Sequence, residues 1–206
     1  MICRSVSVVI PFFNGNEYLK EALESIEKQT SSVEEVIIVV DNNSEVPVID
    51  DYSYTVIIIH NPEDQNGAGI CRYYGYQKAS SKFVTFLDPD DLWSMNKINY
   101  QVQYMIDKEM AFSFTAYENF EGADVINTIC AVGPFTLDNF LKKRFTVGCL
   151  TVMIDKELIH TVKKNYLKIS SLLSSLAFLL FMFHCFNFFE YAINIGAVLT
   201  VFIEPG

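Results

Sequence analysis

Tryptophan occurs once in 206 residues, at Trp93, and cysteine five times, at Cys3, Cys71, Cys130, Cys149 and Cys185, with no CxxC spacing among them. That scatter signals neither a zinc site nor a disulfide framework, so reduced, mostly buried thiols and a cytosolic compartment are the expectation. Positive charge is also short: 15 Lys and Arg stand against 25 Asp and Glu, a formal net charge of −10. This argues against a nucleic-acid-binding face, which gathers cations to neutralise phosphates, although a divalent cation can still bring a phosphorylated ligand to an acidic protein. Met1-Ile2-Cys3-Arg4 runs straight into a short apolar stretch, too short for the apolar core of a secretory leader, and none is expected. The most local absence is again of charge: residues 169–189 contain no Asp, Glu, Lys or Arg.

What is present before that segment is an alternation of elements. Short β-branched runs at 6–10, 36–40, 56–59 and 83–87 alternate with helical patterns, which predicts βαβ units and a largely parallel sheet buried on both faces. Leu19, Ala22, Leu23 and Ile26 share one face of a helix expected over 17–29. Further helices are expected over 69–79 and, behind a Ser94 N-cap, over 95–108. Strands are expected at 111–115, 125–131 and 149–154, with a short helix running from a Thr136 cap to residue 143. No repeat or low-complexity linker interrupts residues 1–165.

In an open parallel sheet, ligands bind beyond the carboxyl ends of the strands. Each polar motif falls there. The first run ends in Pro11-Phe12-Phe13-Asn14-Gly15-Asn16, and the second in Asp41-Asn42-Asn43-Ser44, short polar groups that suit either a base contact or a tight turn. After the third come Asn66-Gly67-Ala68-Gly69 and Arg72, where glycine lets backbone N–H groups approach an anion and Arg72 is within reach of a diphosphate; a plain loop-to-helix connection would read the same. The fourth ends in Asp88-Pro89-Asp90-Asp91-Leu92-Trp93. Three carboxylates in four residues suit a hard cation such as Mg²⁺ or Mn²⁺, or else a solvated turn.

Together these segments resemble the family 2 glycosyltransferases of the GT-A fold. The resemblance rests on Val6-Ser7-Val8-Val9-Ile10-Pro11-Phe12-Phe13-Asn14, on Glu35-Val36-Ile37-Ile38-Val39-Val40-Asp41-Asn42-Asn43-Ser44, on Asn66-Gly67 with Arg72 and Gly75, and on Phe86-Leu87-Asp88-Pro89-Asp90-Asp91-Leu92-Trp93. It implies an α/β, Rossmann-like nucleotide-binding fold with a mostly parallel central sheet flanked by helices. It implies a nucleotide-sugar half over 1–93 and a partial acceptor half over 94–165. By the resemblance, Pro11 and Asn14 shape the first nucleotide loop, Asp41 and Asn42 lie where the family contacts uracil or another base, and Asn66, Gly67 and Arg72 adjoin the base or diphosphate. Asp88 and Asp90 form the DxD pair, Asp90 being the direct ligand of Mn²⁺ or Mg²⁺. Many members have an acidic residue where this chain has Asn42. The implied reaction is sugar transfer from a nucleoside diphosphate sugar, a UDP-sugar, to a glycan or lipid-linked acceptor as in lipopolysaccharide synthesis, in the cytoplasm or at the cytoplasmic face of the inner membrane.

The resemblance weakens through Phe112-Ser113-Phe114-Thr115-Ala116-Tyr117 and the stretch 146–155, and stops near residue 165. Beyond Ile154 the acidic residues are Asp155, Glu157, Glu190 and Glu204, with no Glu-Asp or Asp-Asp pair; Asp155 and Glu157 read as an exposed turn, and no general base is assigned. Residues 166–206 form an apolar segment with three readings: a membrane-spanning helix over 169–189 with Lys163, Lys164 and Lys168 on the cytoplasmic side, a frame-altered tail, or a buried core helix. His60 reads as structural, His160 and His184 lack ligand partners at metal spacing, and Trp93 reads as core. Two rivals remain. A nucleotidyltransferase would carry a Gly-rich, basic loop after the first strand, which Pro11-Phe12-Phe13-Asn14-Gly15-Asn16 is not. A remnant that binds nucleotide-sugar without turnover would lack the base.

Overall fold

The computed structural model describes residues 4–62, 66–110, 112–121, 124–130, 147–157 and 201–202. The predicted α/β alternation is observed. Strands β1 (Val6–Phe12), β2 (Glu35–Val40), β3 (Thr55–His60) and β4 (Phe83–Phe86) are mutually parallel, and helices α1 (Asn16–Glu27) and α2 (Ala68–Lys78) lie between them in the chain. Helix α3 (Lys97–Asp107) leads to β5 (Phe112–Thr115), the hairpin β6 (Tyr117–Glu121) and β7 (Asp124–Ile129), and β8 (Met153–Asp155). The central sheet has the order β3-β2-β1-β4-β8-β5, with the two-residue strand β9 (Val201–Phe202) beyond β5. Strand β8 runs antiparallel to both β4 and β5.

Alternation along each strand distributes the core between the two faces. Val9, Ile37, Val39, Val84 and Phe86 meet Cys71, Tyr76 and Ala79 of the α2 side. Val8, Ile10, Val36, Ile38 and Phe83 meet Leu19, Leu23 and Ile26 of α1 and Ile98, Val102 and Met105 of α3. Every residue of β1, β2 and β4 is buried, which is why these strands read as unbroken apolar runs. Strand β3 is at the sheet edge and is half-exposed, so burial on both faces does not extend to it. Where α2 crosses the sheet, Gly75 is packed so closely that a Cβ there would stand 2.2 Å from Val9 Cγ1.

Several local expectations are corrected. Asn96, not Ser94, is the N-cap of α3, because the Ser94 carbonyl is taken by Lys97 N–H in a preceding turn and by Gln29 Nε2 at 2.7 Å. The run at 125–131 is a strand, but it pairs with β6 in a separate exposed hairpin. The strand expected over 149–154 is replaced at its start by a 3-10 turn, Cys149–Thr151, since Thr151 and Val152 N–H donate back to Gly148 and Cys149 carbonyls. Cys71 is buried, Cys149 half-buried and Cys130 exposed, so thiol burial is not general among the described cysteines. The helix expected from Thr136 to residue 143 and the apolar segment 169–189 lie outside the described residues. No helix among the described residues is long and apolar enough to cross a membrane.

Candidate functional site

The carboxyl ends of β1 to β4 point the same way, and their loops converge. The β1–β2 ladder continues to Phe12 opposite Val40, whereas the β1–β4 ladder stops at Val9 opposite Phe86. Pro11 explains the difference. Leu87 N–H donates to Val9 O at 3.1 Å, and the next bond of a parallel ladder would need an N–H at residue 11, which proline lacks. The chain at Leu87-Asp88 is thus released from β1 at the topological switch point between β1 and β4, the place where open α/β sheets hold their ligand crevice. Pro11 itself is a buried strand residue, so it shapes the first loop from beneath.

The remaining loops are tied side chain to backbone. Asn14 adopts a left-handed conformation, φ 57°, followed by Gly15 at φ 88°, which turns the chain into α1. Its N–H donates to Ser44 Oγ at 3.0 Å, joining the β1 and β2 loops. Asp41 joins three segments: Oδ1 accepts from Asn42 N–H at 2.9 Å and Asn61 Nδ2 at 3.0 Å, and Oδ2 accepts from Gly67 N–H at 2.9 Å. Asn42 Nδ2 donates to Pro62 O at 2.9 Å. Gly67 is the N-cap of α2 with φ 104°, and Asn66 before it is exposed. The Gly67 amide, expected to face an anion, is therefore committed to the Asp41 carboxylate. Beside it, burial first, and Asp41 next, push the Cys71 thiol up to about 12, so this cysteine is inert.

Arg72, one turn into α2, forms an ion pair with Asp88, with side chains 12% and 27% exposed. Asp90 is exposed to solvent, and Asp91 is half-buried. Burial, then the charges of Asp88 and Asp90, push the Asp91 carboxyl up to about 6. Arg72 thus offsets part of the negative potential and leaves an excess at the loop. Among the described residues, no three His, Cys, Asp or Glu side chains gather around one point. The donor set of Asp88 and Asp90 fits a hard cation that completes its shell with phosphate oxygens and water, as Mg²⁺ and Mn²⁺ do.

Other predicted features fall outside this site. His60 is exposed at the end of β3. Trp93 is core, as read, with Nε1 donating to Leu150 O at 3.1 Å. Asp155 is not in an exposed turn: it is buried in β8, with Lys82 Nζ at 3.5 Å, because it pairs with Phe83 at the opposite end of β4 from the acidic loop. Two arrangements escaped sequence reading. The Arg72–Asp88 pair spans 16 residues and has no local signature. The buried contacts of Lys97 and Gln101 do have one, since these two residues stand four apart on the inward face of α3.

Comparison with known proteins identifies the family and supports the fold. The family described as Glycosyl transferase family 2 matches residues 7–152. TuaG of Bacillus subtilis (strain 168), named as a teichuronic acid biosynthesis glycosyltransferase, is 33% identical over 162 residues, covering 74% of this chain and 62% of its own. The Escherichia coli UDP-Glc:alpha-D-GlcNAc-diphosphoundecaprenol beta-1,3-glucosyltransferase WfgD is 28% identical over 157 residues, covering 75% of this chain and 62% of its own. The chain therefore spans less than two thirds of these relatives. The crystal structure of Staphylococcus aureus TarS 1-349 in complex with UDP superposes with a TM-score of 0.57 at 20% identity, covering 86% of this chain and 54% of that one, and shares the fold. The loops that gather at the ends of β1 to β4 lie inside the matched region, and the chain belongs to glycosyl transferase family 2.

Proposed function

We propose that the protein transfers a sugar from a UDP-sugar, with metal assistance, to a lipid-linked glycan acceptor at the cytoplasmic face of a membrane. The observation that carries this reading is the acidic loop, where Asp88 and Asp90 follow β4 and Arg72 enters from α2. WfgD, whose name specifies UDP-Glc and a diphosphoundecaprenol-linked acceptor, and the UDP complex of TarS support the choice of donor and acceptor.

In this reading Pro11 and Asn14 frame the crevice, and Asp41 and Asn42 border the base. Asn66 and Gly67 border the diphosphate, and Asp88 and Asp90 hold Mn²⁺ or Mg²⁺. A divalent cation there supplies Lewis-acid stabilisation of the charge that grows on the leaving diphosphate. Arg72 adds a fixed positive charge on the same side, and its pairing with Asp88 orients that carboxylate before the donor arrives. Asp41 holds the start of α2 in place through Gly67, so the crevice is formed in advance.

Calorimetry with UDP and Mn²⁺ tests the donor site. Binding that needs the metal and is lost in Asp90→Ala supports it, and absence of binding by any nucleoside diphosphate overturns it. A second reading, nucleotide-sugar binding without turnover, is favoured by one sequence observation: after Asp155 and Glu157 the chain contains only Glu190 and Glu204 as acidic residues. Hydrolysis of UDP-glucose by a protein that binds UDP decides between the two.

A further inference from the structure

The sheet neighbour of β4 on the side away from β1 is β8, which runs antiparallel with Thr85 opposite Met153 and Phe83 opposite Asp155. Continuing that register by three residues sets Val152, Thr151 and Leu150 alongside Phe86, Leu87 and Asp88. The 3-10 turn before β8 thus flanks the acidic loop on the side that the β1, β2 and β3 loops leave open. A second substrate that approaches the donor from outside the nucleotide half meets this turn.

Three successive carbonyls of that segment are held by side chains from the stretch that brackets the acidic loop. Trp93 Nε1–H donates to Leu150 O at 3.1 Å, Gln101 Nε2 to Thr151 O at 2.9 Å, and Thr85 Oγ1–H to Val152 O at 2.6 Å. Lys97 Nζ donates to Thr85 Oγ1 at 2.6 Å and lies 3.8 Å from the centroid of the Trp93 ring. Gln101 Nε2 also donates to Ser113 Oγ at 2.9 Å. Thr85, Lys97 and Gln101 are all buried. Burial alone pushes the Lys97 ammonium well below its ordinary value. An apolar residue would fill this space at lower cost, whereas the Lys97 ammonium and the Gln101 amide nitrogen find buried acceptors only in this arrangement, even though Gln101 Oε1 is left without a partner.

We infer that Trp93, Lys97 and Gln101 are positioning residues that clasp the turn at 148–152 to the acidic loop, so that donor binding is transmitted to the wall facing the second substrate. The inference rests on the donor-site reading above. Trp93 is two residues beyond Asp91 and is bonded directly to the turn, so ordering of the acidic loop by a ligand also orders the turn.

The test is hydrogen exchange on the full chain, with and without UDP and Mg²⁺, in the wild type, Gln101→Leu and Lys97→Met. In the wild type the nucleotide is expected to slow exchange in 36–44, in 83–93 and in 147–157. In Gln101→Leu, protection at 36–44 persists, nucleotide affinity stays within about twofold, and exchange at 147–157 becomes roughly tenfold faster and insensitive to nucleotide. A purely structural contact would accelerate exchange without removing that nucleotide dependence. Protection confined to 36–44 and 83–93 in the wild type, or a nucleotide response of 147–157 that survives in both variants, overturns the clasp and leaves the donor site standing. Absence of nucleotide-dependent protection anywhere overturns the donor-site reading and the clasp with it. Trp93, the single tryptophan, gives an independent optical readout, with emission shifting to the red where the clasp opens.

Discussion

Arg72 and Asp88 form an ion pair that joins the second turn of α2 to the loop after β4, beside the point where Pro11 stops the β1–β4 ladder. Arg72→Met would leave the three aspartates of the loop without this counter-charge. Bare Mn²⁺ is then expected to bind several-fold more tightly, while UDP in the presence of Mg²⁺ binds about tenfold more weakly, since a fixed cation beside the diphosphate is lost. Calorimetry of each ligand separately reads both directions, and a loss of affinity for both would contradict the assignment. Arg72→Lys recovers part of the nucleotide affinity, because it restores the charge without the planar fork.

Asn42 ties the β2 loop to the β3 loop through its amide nitrogen. The Asn42 Nδ2 donates to Pro62 O at 2.9 Å, a bond that a carboxylate, having no hydrogen to give, would turn into repulsion between two oxygens. Asn42→Asp is expected to cost about 1–3 kcal/mol and to loosen the joint between the β2 and β3 loops. Urea unfolding gives the first quantity. Exchange rates over 41–44 give the second, and unchanged values in both would show that the amide is not a structural tie.

Much of this site was legible because its positions are set by local rules. Parallel strands buried on both faces read as continuous apolar runs, and the acidic loop follows one of them directly. The helix limits came within two residues, since apolar spacing marks where α1, α2 and α3 turn inward. What stayed hidden depends on distant partners. Nothing near Arg72 announces Asp88, nothing near Asp41 announces the Gly67 amide, and Asp155 looks like a surface residue until β8 is placed beside β4. The hairpin strand β6 was missed because Tyr-Glu-Asn-Phe-Glu buries no face and so shows no alternation.

Gly75 within α2 and Gly67 at its N-cap are expected to resist substitution for different reasons. At Gly75 the φ is ordinary, but a Cβ would stand 2.2 Å from Val9 Cγ1 and 3.1 Å from Val39 Cγ2, both on stiff β-branched side chains of buried strands. Gly75→Ala should therefore cost about 1–3 kcal/mol by overpacking. At Gly67 a Cβ meets nothing within 4 Å, yet φ is 104°, so Gly67→Ala is strained in the backbone alone, by about 1–2 kcal/mol. A double variant, Gly75→Ala with Val9→Ala, separates the two: trimming Val9 removes the clash and makes the Gly75 substitution cheaper, while the same trimming leaves the cost of Gly67→Ala unchanged. Equal behaviour of both glycines in that cycle would refute the packing explanation.

Glu35 sets an acid limit on stability at the other end of the sheet. It begins β2 as a buried carboxylate, and its Oε1 accepts from Ser7 Oγ at 2.6 Å, Ser80 N–H at 2.7 Å and Ser80 Oγ at 2.9 Å. Burial raises its pKa, but these hydrogen bonds outweigh burial and hold it below the ordinary glutamate range. A carboxyl whose folded value is depressed contributes stability that is fully present above the unfolded value, about 4.3, and is lost as pH falls through the folded value. Glu35→Gln, which replaces a charged acceptor by a neutral one, should cost about 1–3 kcal/mol at pH 7. That difference from the wild type should shrink below pH of about 4 as the native carboxylate is protonated. Chemical unfolding of both proteins across this range checks the sign. A gap that widens on acidification would mean that burial, not the three serine donors, governs Glu35.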